Sequence, residues 1–235
     1  MRNIFNMDNG FFRALGRLAD LMILNLVFIL CCIPVVTIGA ALTGMYYVTL
    51  KMAENEEGYI VKSFFKSFRQ NFKQATVIWL ILLIIGILFG LDFQILVNME
   101  GSLANVMRIL ITAIAFLYLM LVIYVFPTLA RFDNSIKTTM KNAFIMAIAD
   151  LPRTVVMLVI TAGSVFITFW NGYTLWYGLL VWILAGFSLV AYANSYFLKK
   201  VFAKYMPKET EEEHDPDEWV VEETPIEDLA NTDEN

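Results

Sequence analysis

The chain has 235 residues, 59% of them in the apolar and aromatic set and only 17% charged, where a soluble domain carries about a quarter charged residues. That surplus excludes an ordinary water-soluble globule and asks for lipid as the solvent. The formal net charge of −5 hides an asymmetry: thirteen of the twenty-two acids lie in residues 209–234 and all seventeen Lys and Arg precede them, so residues 1–208 carry seventeen positive against nine negative charges. Such a basic body suits anionic phospholipid head groups, and no nucleic-acid partner is expected.

The first uncharged stretch, residues 21–50, is longer than the roughly 20 residues that one crossing needs. Pro34 lacks an amide proton and disfavours helix in the residue before it, so the chain is expected to break at Cys32-Ile33-Pro34 and return. Thr37 or its neighbours start the returning arm. Gly39, Ala40, Thr43 and Gly44 give that arm a narrow face for close helix contact. The arms are short, so the hairpin either begins as early as Phe11 or is re-entrant with its tip buried by protein. Cys31 and Cys32 read as buried thiols; the residues before them are too large for a lipoprotein cleavage site, and the first segment is expected to be retained. Asp20 beside Arg17 and Arg13 reads as an interfacial charge cluster.

Residues 59–72 place Phe64, Phe65, Phe68 and Phe72 at helical spacing, flanked by Lys62, Lys66, Arg69 and Lys73. This predicts a basic amphipathic helix lying in the lipid interface. A second uncharged stretch, residues 74–91, and a third, residues 109–130, predict two crossings joined by a short outer turn. Gly86 and Gly90 form a packing notch on the former. Asp92 is the acid within that otherwise apolar helix, and Arg108 is expected at similar depth on the next. A salt bridge locking the two helices is preferred to a proton or substrate site.

Residues 135–149 repeat the basic amphipathic pattern more weakly, through Ile136, Met140, Phe144 and Ile148 with Lys137 and Lys141. The segment bears only a weak analogy to the coupling loop of transporter permeases. Residues 154–198 are uncharged over about twice the length of one crossing, and Asn171-Gly172 marks a turn between two antiparallel helices. Trp170, Tyr173, Trp176 and Tyr177 cluster there as a head-group belt.

Lys and Arg concentrate in the segments around residues 51–73, 131–153 and 199–208, while the links near Asn98 and Asn171 are poor in charge. The basic segments are therefore expected in the cytoplasm. With the first stretch as a hairpin, both termini lie inside. The expected fold is thus an all-α, polytopic transmembrane bundle over residues 1–206, with six membrane helices near 12–33, 36–52, 74–97, 104–127, 152–170 and 174–198 and interfacial helices near 59–72 and 135–149. Five crossings with an external N-terminus is the alternative. Residues 207–235 form an acidic tail expected to be disordered, with Trp219-Val220-Val221 as a chance patch or a docking motif.

The run Leu18-Ala19-Asp20-Leu21 through Asn25, followed by Cys32-Ile33-Pro34-Val35-Val36-Thr37-Ile38-Gly39-Ala40, resembles the opening of the YesL-like family of bacterial membrane proteins. Phe126-Pro127-Thr128-Leu129-Ala130-Arg131-Phe132 and Asp150-Leu151-Pro152-Arg153 are similar to its later pattern. The resemblance covers residues 1–205, with Pro-x-x-Thr-x-Gly as its most specific part, and leaves the tail outside. It implies a domain of unknown function, often encoded beside carbohydrate-uptake transporters and glycan-degrading enzymes, and assigns no catalytic or binding residue.

The single histidine, His214, falls in the tail, and the sequence has no His-Glu-x-x-His, phosphate loop, Cys-x-x-Cys or nucleophile elbow. A non-enzymatic accessory or regulatory protein of sugar uptake is therefore expected, without cofactor or metal, in contact with the bilayer and a neighbouring transporter or other membrane protein. The alternative is a small-solute permease with a path between the Pro34 hairpin and the later helices. That path would need a wet cavity lined by Asn25, Thr37 and Asp92.

Overall fold

A computed structural model describes residues 10–56 and 58–206. The expectations for the tail, His214 and Trp219 among them, lie outside these residues. Eight α-helices run in order: α1 (Gly10–Cys32), α2 (Ile38–Glu54), α3 (Ile60–Val97), α4 (Ser102–Arg131), α5 (Ile136–Ala149), α6 (Leu151–Thr168), α7 (Gly172–Val181) and α8 (Phe187–Phe202). A 3-10 turn (Val35–Thr37) joins α1 to α2, and a π-helical segment (Trp182–Gly186) joins α7 to α8 into one rod. Among the described residues, six segments are long and apolar enough to cross a membrane: Phe12–Cys32, Val35–Glu54, Ile60–Val97, Ser102–Arg131, Leu151–Thr168 and Gly172–Phe202. These mark an all-α helical membrane protein.

The break between α1 and α2 follows from Pro34, which adopts the extended backbone its neighbours need. The Thr37 hydroxyl bonds the Cys31 and Pro34 carbonyls, and the indole of Trp79 donates to the Val35 carbonyl at 2.8 Å. Thr37 and Trp79 thus supply partners for three carbonyls of the tip. Its side chains remain outside: Ile33 is 74% exposed, and Val35 and Val36 are about half exposed. Of the two hairpin forms, the helix that starts before Phe11 is the one observed, and the protein does not bury the tip. Cys31 and Cys32 are free, partly buried thiols.

α2 is the innermost element, with twelve of its seventeen residues buried. Its small residues permit this. A Cβ added to Gly39 would fall 2.5 Å from the Ala75 carbonyl oxygen, and one on Gly44 would fall 3.1 Å from the Phe64 ring and carbonyl. These two contacts are five residues apart on α2 but eleven apart on α3.

The sequence reading separated an interfacial helix (59–72) from a crossing (74–97). The structure instead joins them in the 38-residue α3, because no Pro or Gly occurs between Tyr59 and Ile85 to end the hydrogen-bond ladder. Beyond Leu82, α3 has no buried residue until Leu96, and α4 has none between Ala104 and Met120. Those outer halves form a two-helix arm held by Tyr118, whose hydroxyl donates to the Leu82 carbonyl at 2.8 Å and fills the space above Gly86. Gly90 has open space around it, so the expected notch is made by Gly86 alone.

At the turn before α7, Asn171 caps the helix reciprocally with Thr174 at 2.9 and 3.0 Å. Trp170, Tyr173, Trp176 and Tyr177 around it are all more than 60% exposed.

Candidate functional site

Two kinds of polar arrangement distinguish this bundle: seams of hydrogen bonds between helices, and a basic end. The seams carry the interior. Asn25, fully buried on α1, donates to the carbonyls of Trp182 and Ile183 at 3.0 and 2.8 Å and accepts from the Ser188 amide at 3.1 Å. A π segment frees main-chain groups from the regular ladder, and the Asn25 amide supplies their partners.

Ser188 also donates to the Leu21 carbonyl at 2.8 Å. Trp182 donates to Thr168 at 2.8 Å, Asn194 to Thr161 at 3.1 Å, and Ser195 to Thr49 at 2.9 Å. Tyr124 and Thr154 meet at 2.9 Å. Such bonds fasten helices where lipid supplies no hydrophobic drive for association.

The residues proposed for a permeation path are placed apart. Asn25 is spent on the π segment, Thr37 on the hairpin tip, and Asp92 lies exposed on the outer half of α3.

The expected ion pair between Asp92 and Arg108 does not form. Arg108 donates to the Leu96 carbonyl at 3.0 and 2.8 Å, to the Met99 carbonyl at 2.6 Å and to Asn105 at 3.1 Å. The last carbonyls of α3 lack intrahelical partners and carry the negative end of the helix dipole, so the guanidinium fork satisfies them in preference to a carboxylate a turn away.

At the basic end, Phe64, Phe65, Phe68 and Phe72 form a ladder with neighbouring ring centroids 5.4 to 6.2 Å apart. Its first rung is not at a lipid surface: Phe64 is fully buried beneath Gly44, while Phe72 is exposed. Lys62, Lys66, Arg69 and Lys73 are all exposed.

Lys66, Gln70 and Asn71 face Arg131 and Asp133 across a cleft of about 290 Å³ between α3 and the end of α4. Arg69 and Lys73 line a neighbouring cleft that also reaches Asp133; neither cleft includes Lys62. Arg131 is anchored to Glu54 of α2 at 2.9 Å, so these elements meet at one charged joint. On α5, capped by Ser135, the buried side is Thr139, Ala143, Met146 and Ala147, and Phe144 and Ile148 stay partly exposed.

The sequence reading missed the Asn25 and π-segment junction. Its signal was a lone amide inside an uncharged run, which must find partners; which partners it finds is set by the fold.

Residues 21–93 match the family model described as "Protein of unknown function, DUF624". The chain is 26% identical over 152 residues to the uncharacterised protein YteU of Bacillus subtilis (strain 168), covering 64% of this chain and 68% of that one. It is also 26% identical over 167 residues to the uncharacterised protein YesL of the same organism, covering 70% and 77%. No solved structure matches. The matched segment, which runs through the Pro34 hairpin and along α3, and these two relatives support placing the chain in the YesL-like family.

Proposed function

We propose that this is a multi-pass protein of the plasma membrane, with both termini and the basic end in the cytoplasm, that acts without catalysis as an accessory or regulatory component of carbohydrate uptake. The observation that carries the reading is the engagement of Asn25: the buried amide that a solute path would use is bonded to the π segment and the start of α8. What the chain offers outward is the α3–α4 arm, in which α3 has no buried residue between Leu82 and Leu96 and α4 none between Ala104 and Met120. The basic end adds clefts lined by Lys66, Arg69, Lys73 and Arg131. Basic residues favour the cytoplasmic side, and an apolar arm of two helices suits lateral contact with another membrane protein. The link to sugar uptake rests on the family resemblance.

The test is co-purification from native membranes of the full chain and of a form lacking residues 209–235. A specific membrane partner that is lost with the tail supports the accessory role. Absence of any partner, together with solute flux in vesicles reconstituted with the pure protein, would instead support the permease.

A further inference from the structure

A groove of about 490 Å³ opens on the side of the bundle between α1 and α8, lined by Arg13, Ala14, Arg17, Leu18, Leu21, Leu189 and Tyr192. Its chemistry is divided. Arg13 and Arg17 stand four residues apart, hence on one face of α1, and the wall below them is aliphatic, with Leu21 3% exposed and Leu18 and Leu189 about 40% exposed. Asp20, although three residues from Arg17, is not part of the lining. Arg17 donates to Asn55 at 2.7 Å. That bond ties the cationic mouth to the turn after α2, the same end that carries Lys51 and the Glu54–Arg131 pair. The mouth thus lies where an apolar helix emerges among basic residues, at head-group depth.

From this geometry we infer that the groove between α1 and α8 binds one anionic phospholipid, its phosphate against Arg13 and Arg17 and an acyl chain along Leu18, Leu21 and Leu189. The guanidinium fork matches phosphate oxygens in geometry and charge, and the groove volume falls within the range of small-molecule sites. The aliphatic wall suits an acyl chain and the two cations suit a phosphate; a phospholipid presents both. This goes beyond the accessory role and does not depend on it.

Native mass spectrometry of the full-length protein in neutral detergent, titrated with dioleoyl-phosphatidylglycerol, dioleoyl-phosphatidylcholine or inorganic phosphate, tests the assignment. Phosphatidylglycerol should bind in one copy and more tightly than phosphatidylcholine. Arg13→Gln should weaken it about fivefold, and Arg13→Gln with Arg17→Gln about 25-fold, since a cation at the surface contributes about fivefold for each charge. Arg13→Lys, which keeps the charge and loses the fork, should bind more weakly than the parent and more tightly than Arg13→Gln, Leu189→Trp should weaken both lipids by filling the groove, and Lys62→Gln should change nothing. Because Arg17 also holds Asn55, Asn55→Gly serves as the control for folding and should leave lipid binding intact. Equal affinity for the two lipids, indifference to Arg13→Gln, loss with Asn55→Gly as large as with Arg17→Gln, or inorganic phosphate binding as tightly as the lipid would each overturn the proposal.

Discussion

The side-chain amide of Asn25 meets the carbonyl of Ile183 at 2.8 Å, across 158 residues of chain. With the bonds to Trp182 and Ser188 it makes one side chain the partner for three main-chain groups at the π segment. Replacing Asn25 by Leu leaves those groups buried without partners, which costs about 1–3 kcal/mol for an unsatisfied group, moderated in lipid by the partners that a loosened helix finds. We expect a lower melting temperature in detergent and faster amide exchange confined to residues 181–188. A Leu variant as stable and as protected as the parent would show that the π segment stands without Asn25.

The glycines divide by what surrounds them. Gly39→Ala drives a methyl group into the Ala75 main chain, which cannot rotate away, so α2 and α3 must separate; the expected loss is about 1–3 kcal/mol. Gly86→Ala meets the flexible end of Tyr118 at 2.9 Å and should cost less. Gly90→Ala and Gly163→Ala enter open space and should be neutral or stabilising by up to about 1 kcal/mol, because Ala restricts the helix less unfavourably. Melting curves of the four variants, ranked in that order, check the packing of α2.

Arg108 and Asp92 should behave independently. Arg108→Leu removes the guanidinium donors from the Leu96 and Met99 carbonyls and should destabilise the turn between α3 and α4 by about 1–3 kcal/mol. Asp92→Asn, on an exposed position, should shift stability by less than about 0.5 kcal/mol. A double-mutant cycle should therefore give near-zero coupling; a coupling above about 1 kcal/mol would restore the ion pair.

Orientation is open to direct measurement. Single cysteines in place of Lys66 and Lys141 should react with a membrane-impermeant maleimide only after the cell is opened, and one at Tyr173 should react in intact cells, on a Cys31→Ala, Cys32→Ala background. Labelling of the Lys66 position from outside would reverse the topology.

Much of the architecture could be read from residue order. Lipid must dissolve long uncharged runs as helices, because only there are all main-chain groups satisfied within one segment. The lengths of those runs, the break at Pro34 and the Asn171 cap therefore yield the crossings and turns before any tertiary contact is known. Composition also separates the basic body from the acidic tail, since charge is a local property.

Tertiary structure decided what each polar side chain bonds to. Asn25 looked like a wall of a path and is instead the partner of a π segment; Arg108 looked like a mate for Asp92 and caps α3; Phe64 looked interfacial and fills the space left by Gly44. In each case residue order says only that a group needs a partner, whereas the partner is whichever unsatisfied donor, acceptor or void the packing brings within about 3 Å. Helix periodicity says which face a residue occupies, but not which helix lies opposite, and that pairing is set by shape at the small-residue face of α2.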